Sequence, residues 1–99
     1  MGFEAAKAVT TGLQNTVVGY EAMVTNIDGN ANVAVGRRAL YTAEADAAGH
    51  GWNVAIGTNA LYDLTTGTSN TAIGNAAGDT GNNDLTTGDN NTLIGAETE

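Results

Sequence analysis

The pentapeptide Asn53-Val54-Ala55-Ile56-Gly57 decides the fold, because variants of it recur along the whole chain. The other copies are Asn-Thr-Val-Val-Gly at 15–19, Asn-Val-Ala-Val-Gly at 32–36, Asn-Thr-Ala-Ile-Gly at 70–74 and Asn-Thr-Leu-Ile-Gly at 91–95. With Gly2 as an earlier copy, the closing glycines are 17, 17, 21, 17 and 21 residues apart. A short period that tolerates a four-residue insertion is typical of a solenoid, whose units bury their apolar residues only against their neighbours. We therefore expect one domain over 1–99, with repeats 2–18, 19–35, 36–56, 57–73 and 74–94.

The composition fits thin layers of small side chains. Of the 99 residues, 41% are hydrophobic but only 5% are aromatic, and there is no Cys or Pro. The net charge of −8 makes nucleic acid an unlikely class of partner. No apolar run approaches the about 18 residues of a membrane-spanning helix, so no membrane insertion is predicted. Abundant Gly, Asn and Thr are also compatible with a flexible linker, but the apolar residues keep their register in every repeat, which disorder does not explain.

The recurring string predicts one short strand per repeat, and a second strand follows each glycine. We expect strands near 15–19, 32–36, 53–57, 70–74 and 91–95, and second strands near 21–24, 38–42 and 59–62. Turns are marked by Gly12, Gly29, Gly67 and Gly88, each three residues before the next Asn. The insertions at 43–51 and 79–84 are expected to project as loops on one edge. The predicted fold class is all-β, a parallel β-roll or β-helix solenoid of about five coils.

Alternation along each strand assigns its side chains to two faces. We expect the branched residues, such as Val54 and Ile56, to fill the space between the two strands of a coil. The intervening residues would then point outward, where a row of alanines indicates close contact with a second chain. This predicts a homotrimer whose interface contains Val17, Ala34, Ala55, Ala72 and Leu93.

Two stretches carry a resemblance to known repeats. Asn-Thr-Ala-Ile-Gly-Asn-Ala-Ala at 70–77 and Asn-Val-Ala-Ile-Gly-Thr-Asn-Ala-Leu-Tyr at 53–62 resemble the head repeats of trimeric autotransporter adhesins. They are more similar still to the repeats of bacteriophage tail fibres and related virion proteins. The resemblance implies a left-handed parallel β-roll, three of which pack about a threefold axis. It is compatible with a small standalone virion protein and with a piece of a longer fibre.

Residues that carry chemistry are scarce. One His, one Ser and no Cys offer no credible hydrolytic triad, so no enzyme, cofactor or metal site is predicted. His50 and Trp52 are the candidate recognition residues, although a loop histidine needs no function. Calcium between the acidic loops, which contain Glu44, Asp46 and Asp84, is an alternative to simple solvation. Stacked columns should also place Glu21 beside Arg38, and Phe3 in line with Tyr20 and Arg37.

Two classes of function remain. The first is a non-enzymatic structural protein on a virion surface, either a tail-fibre module or a decoration protein of a capsid or tail. Its partners would be further copies of itself and other virion proteins. The alternative is an adhesin head that binds a host-surface receptor or carbohydrate, with an extracellular or cell-surface location.

Overall fold

The computed structural model describes residues 2–25, 29–43, 51–79 and 87–97, and they form an all-β solenoid. Its strands are β1 (Thr16–Val18), β2 (Val33–Val35), β3 (Val54–Ile56), β4 (Thr71–Ile73) and β5 (Thr92–Ile94). They pair in parallel, in chain order, and equivalent residues of the repeats lie side by side. The strands predicted from the recurring string are therefore confirmed.

The asparagine that begins each recurring pentapeptide is part of a hydrogen-bonded ladder. Asn32, Asn53 and Asn70 are buried. The backbone N–H of Asn53 donates to Oδ1 of Asn32 over 3.0 Å, and that of Asn70 donates to Oδ1 of Asn53 over 3.0 Å. The Asn53 side-chain amide also donates to the Gly67 carbonyl over 3.0 Å. Asn53 and Asn70 thus each link their own turn to the preceding turn and to a nearby glycine turn. These bonds satisfy polar groups that would otherwise be unpaired in the interior.

Closing glycines are required where successive turns come closest. Gly36 has a φ of 134°, in the region that favours glycine. A Cβ there would lie 2.5 Å from the carbonyl oxygen of Gly57, its equivalent in the next repeat. Any side chain at this column would push the stacked turns apart.

The interior is filled from two sides by residues of different size. The strand side contributes Ala34, Ala55 and Ala72, which have no solvent exposure. The segments that follow the glycines contribute larger residues. Together with neighbouring buried positions they form a single core, made of Ala22, Met23, Ala34, Ala39, Leu40, Ala43, Ala55, Ala60, Leu61, Leu64, Ala72, Ala77 and Leu93.

This core reverses the predicted face assignment. Val17 packs against the core, and Ala34, Ala55, Ala72 and Leu93 belong to it, so they face the interior of their own chain. The prediction that they form the interface between copies was wrong. The physical reason is volume: Leu40, Leu61 and Met23 enter from the opposite side and leave room only for alanine beneath the middle strands β2, β3 and β4.

The predicted second strands are also absent in the described residues. We call 3–8, 20–25, 37–42, 58–63 and 75–79 the turn segments, since they are folded rather than extended. Within them, Arg38 and Leu40 have φ values of 57° and 51°, and equivalent residues of the other repeats are also left-handed. The Arg38 N–H donates to the Tyr20 carbonyl of the preceding repeat, whereas the Leu40 N–H donates to the Ala60 carbonyl of the next one. Hydrogen bonds along the axis thus replace those of a second sheet.

The two predicted insertion loops lie largely outside the described residues. Most of 43–51 and of 79–84 lies outside the described residues, as do His50, Glu44, Asp46 and Asp84. The ends of these stretches are described. Ala43 is buried, and Gly51 forms a parallel bridge with Asn30.

Candidate interaction surfaces

The outer face of the sheet carries only β-branched side chains. We call it the branched face; it consists of Thr16, Val18, Val33, Val35, Val54, Ile56, Thr71, Ile73, Thr92 and Ile94. Several of its apolar members are well exposed: Val18 42%, Ile56 37%, Ile73 38% and Ile94 67%. Such residues favour extended backbone, which explains why these triplets form strands. In the single chain, the same preference leaves an uncharged surface on the outside.

The turn segments carry a contrasting surface of aromatic and charged side chains. The rings of Phe3 and Tyr20 stack with centroids 5.6 Å apart, and those of Tyr41 and Tyr62 stack at 4.8 Å. The Arg38 guanidinium lies 5.6 Å from the centre of the Tyr41 ring. The predicted Phe3–Tyr20 alignment is therefore confirmed. The cation–π contact in the described residues is made by Arg38 rather than by the Arg37 of the predicted column.

An ion pair links the two turn segments on which this surface is built. Nε of Arg38 donates to Oε2 of Glu21 over 2.6 Å, which confirms the predicted juxtaposition. That hydrogen bond is the main cause that lowers the pKa of the Glu21 carboxyl. The Tyr20 hydroxyl donates to the same carboxylate, and this bond raises the pKa of Tyr20. Glu21 therefore stays ionised and joins two neighbouring side chains.

Burial affects the second tyrosine stack. The pKa of Tyr62 is raised, first by its desolvation and then by the charges or partial charges of Tyr41 and nearby acidic residues. The neutral phenol is thus the form that suits this stacked position.

Trp52 lies at the edge of the branched face, and its side chain is 55% exposed. It is the chain's single tryptophan. Its φ of 56° is left-handed, like that of the residue before each recurring asparagine in the other repeats. Its predicted companion, His50, lies outside the described residues, so their association stays a prediction.

The described part of the chain contains neither a candidate metal site nor a candidate membrane-spanning helix. No three His, Asp or Glu side chains come together there in a way that could hold a metal ion. Asp79 and Asp89, the described carboxylates near the second insertion, form no such group. Within the same ranges, no helix has the length and apolar character needed to cross a bilayer.

Sequence reasoning missed two features of this geometry. The exposure of the branched face was missed because alternation separates two sets of side chains without saying which set is inside. The left-handed columns were missed as well. A signal for them exists in the sequence, because Gly78 occupies the column of Leu40 and Leu61 and has a φ of 77°.

Comparison with known proteins adds no further constraint. No protein-family model, curated protein or solved structure significantly matches this chain. Function is therefore inferred from its repeats and its surfaces.

Proposed function

We propose that this chain is a non-enzymatic structural protein of a virion surface, where it assembles as a homotrimeric β-roll of about five coils per copy. It would serve as a module of a tail fibre or as a decoration protein of a capsid or tail, in contact with other virion proteins. The observation that carries this proposal is the exposed, uncharged branched face.

Exposure of this face is costly for a protein that remains a single chain. Antiparallel sheets that face water on one side alternate apolar and polar residues, and parallel sheets are covered on both faces. Here the covered side of a parallel sheet carries alanines, while the open side carries Val and Ile. Contiguous apolar surface of this kind marks interaction sites. The sheet needs a second layer, which this chain does not provide in its described residues.

A second copy of the same chain fits this face well. The outward side chains repeat in register from β1 to β5, so each turn presents nearly the same Thr or Val and the same Val or Ile. Copies related by rotation about an axis parallel to the solenoid would pack equivalent layers against each other. The threefold number itself comes from the resemblance to trimeric fibre and adhesin repeats.

The resemblance also favours a virion over other assemblies, since the recurring string is most similar to tail-fibre repeats. A second candidate is an adhesin head, and a specific observation favours it. Arg37, Arg38 and the Tyr41–Tyr62 stack lie on the turn segments and are not part of the branched face. They would remain accessible in a trimer and could contact a host receptor or carbohydrate.

The assembly is tested with one substitution on each surface of the same turn. Ile56→Arg places a charge on the branched face without entering the core. It should yield a folded monomer, because the contact has no partner for a buried charge. Thr58→Arg, on an exposed turn segment, should leave the trimer unchanged. Sedimentation velocity gives the mass and circular dichroism checks the fold. A stable wild-type monomer at micromolar concentration would contradict the proposal.

The location is tested separately, on the native particle. A cryo-EM map should reveal three solenoids side by side on a virion, at a fibre, tail or capsid surface. The adhesin alternative instead predicts that the purified trimer binds host cells or glycans, and that replacing Arg37 and Arg38 abolishes this binding without changing its mass.

A further inference from the structure

Trp52 continues the branched face beyond the end of a strand. Val54 begins the branched face in β3, and the exposed Trp52 lies two residues before it, at the left-handed corner where the chain enters the strand. Trp52 directly precedes the third of the five recurring strings, which places it near the middle of the face along the solenoid axis. A large apolar side chain thus stands at the centre of one border of the uncharged surface.

The local conformation does not favour a tryptophan. A bulky residue with a left-handed backbone costs roughly 1–2 kcal/mol relative to the right-handed form. The same column elsewhere contains Gln14, Ala31, Ser69 and Asn90, which are small or polar. The tryptophan therefore gains nothing from its own backbone conformation, which the fold imposes on every residue of this column.

Among the described residues, no ring stacks on Trp52, whereas the other aromatic residues form two stacked pairs. Phe3 stacks on Tyr20 and Tyr41 stacks on Tyr62, whereas the residues aligned with Trp52 in the adjacent repeats are Ala31 and Ser69. These short side chains leave the indole standing above its surroundings. Neither of them offers a charge that would orient a polar ligand.

The backbone around Trp52 is nevertheless firmly held. The Trp52 N–H donates to the Asn30 carbonyl over 2.9 Å, and the Ser69 N–H donates to the Gly51 carbonyl over 3.0 Å. Asn53, the next residue, is fixed in the asparagine ladder. The indole therefore projects from a rigid corner, which lowers the entropy lost when it packs against a partner.

We infer that Trp52 is the anchor side chain of the interface between copies, where it packs against the border of the neighbouring copy's branched face. This inference rests on the proposed function, since it assumes that the branched face is covered by another copy. Tryptophan is enriched among the few residues that dominate interface energetics. Its continuity with the branched face favours a second copy over an external ligand.

The single tryptophan makes the inference directly measurable. In the assembled wild-type protein, Trp52 emission should be blue-shifted and protected from acrylamide, compared with N-acetyltryptophanamide. Dilution below the dissociation midpoint should shift the emission to the red. A trimer whose tryptophan is quenched as freely as the model compound would overturn the inference and leave the proposed assembly intact. A monomer at all concentrations would overturn both.

A matched pair of substitutions provides the second test. Trp52→Ser installs the residue that Ser69 already provides in the same backbone conformation, so the fold should be retained. It should weaken trimer formation at least tenfold in a sedimentation dilution series. Phe3→Ser, at another exposed aromatic residue, which lies on a turn segment, should leave assembly unchanged. Equal effects of the two substitutions would contradict an anchor role for Trp52.

Discussion

The strand side and the turn segments of this solenoid stack with the same register but in different conformations. On the strand side, extended triplets form a parallel sheet from β1 to β5. On the other side, left-handed residues such as Arg38 and Leu40 alternate with others, yet their N–H groups still bond to neighbouring repeats. Stacking therefore requires hydrogen bonds along the axis and does not require two sheets.

The two sides also differ in the side chains that they contribute to the core and to the surface. The strand side is uniform: small residues and asparagines point inward, and β-branched residues point outward. The turn segments supply the bulk of the core through Met23, Leu40 and Leu61, and they carry the aromatic stacks and the Glu21–Arg38 pair. Uniformity suits a surface that meets its own copy, whereas chemical variety suits a surface that faces solvent or another partner.

The largest expected loss of stability comes from a substitution on the inner face of β3, and the same substitution on its outer face is the control. Ala55→Arg should unfold the chain, because Ala55 is fully buried between Ala34 and Ala72. The site has neither space for the side chain nor a partner for its charge, so we expect a loss of about 4 kcal/mol or more. Circular dichroism and urea unfolding provide the measurement. Ile56→Arg is the control, with a folded monomer expected. A folded Ala55→Arg protein would refute the inward placement of the alanines.

The next effect tests whether the asparagine ladder holds the strand side together. Asn53→Ala removes the acceptor for the Asn70 N–H and a donor to the Gly67 carbonyl, both in the interior. An unpaired buried group costs about 1–3 kcal/mol, so the free energy of unfolding should fall by about 3 kcal/mol. The exposed Asn75 is the control, and Asn75→Ala should change stability by less than about 0.5 kcal/mol. Equal losses would indicate that the ladder contributes little.

Replacing either of two adjacent alanines on a turn segment by glycine should change the free energy of unfolding by a smaller amount, with opposite signs at the two positions. Ala76 has a φ of 54°, whereas Ala77 is buried and is not among the left-handed residues. Ala76→Gly should raise the free energy of unfolding by up to about 1 kcal/mol, because glycine adopts this conformation without strain. Ala77→Gly should lower it by a similar amount, since a buried methyl group is lost. Thermal unfolding of the two variants distinguishes them, and a loss in both would contradict the left-handed geometry.

The comparison of the two sides also explains what the sequence could predict. Periodicity located every strand, because the asparagine and glycine that flank Val54, Ala55 and Ile56 recur at fixed distances. It did not reveal which face is inside, since that depends on how much volume Leu40 and Leu61 supply from the far side. An apolar run such as Ala39-Leu40-Tyr41 fits a strand equally well on sequence criteria, and only its contacts along the axis select the left-handed form.

The smallest expected effect concerns the Glu21–Arg38 pair, where two turn segments meet at the surface. The pKa of Glu21 is lowered in the folded protein, mainly by its hydrogen bond from Arg38. The pair therefore contributes stability above the ordinary carboxylate pKa, and this contribution is lost as pH falls through the lower folded value. Wild type should lose slightly more thermal stability than Glu21→Gln between pH 6 and pH 3, measured at low salt. High salt should reduce the difference, because the pair is solvent-accessible. Identical pH profiles would show that this ion pair positions the turn segments without stabilising them.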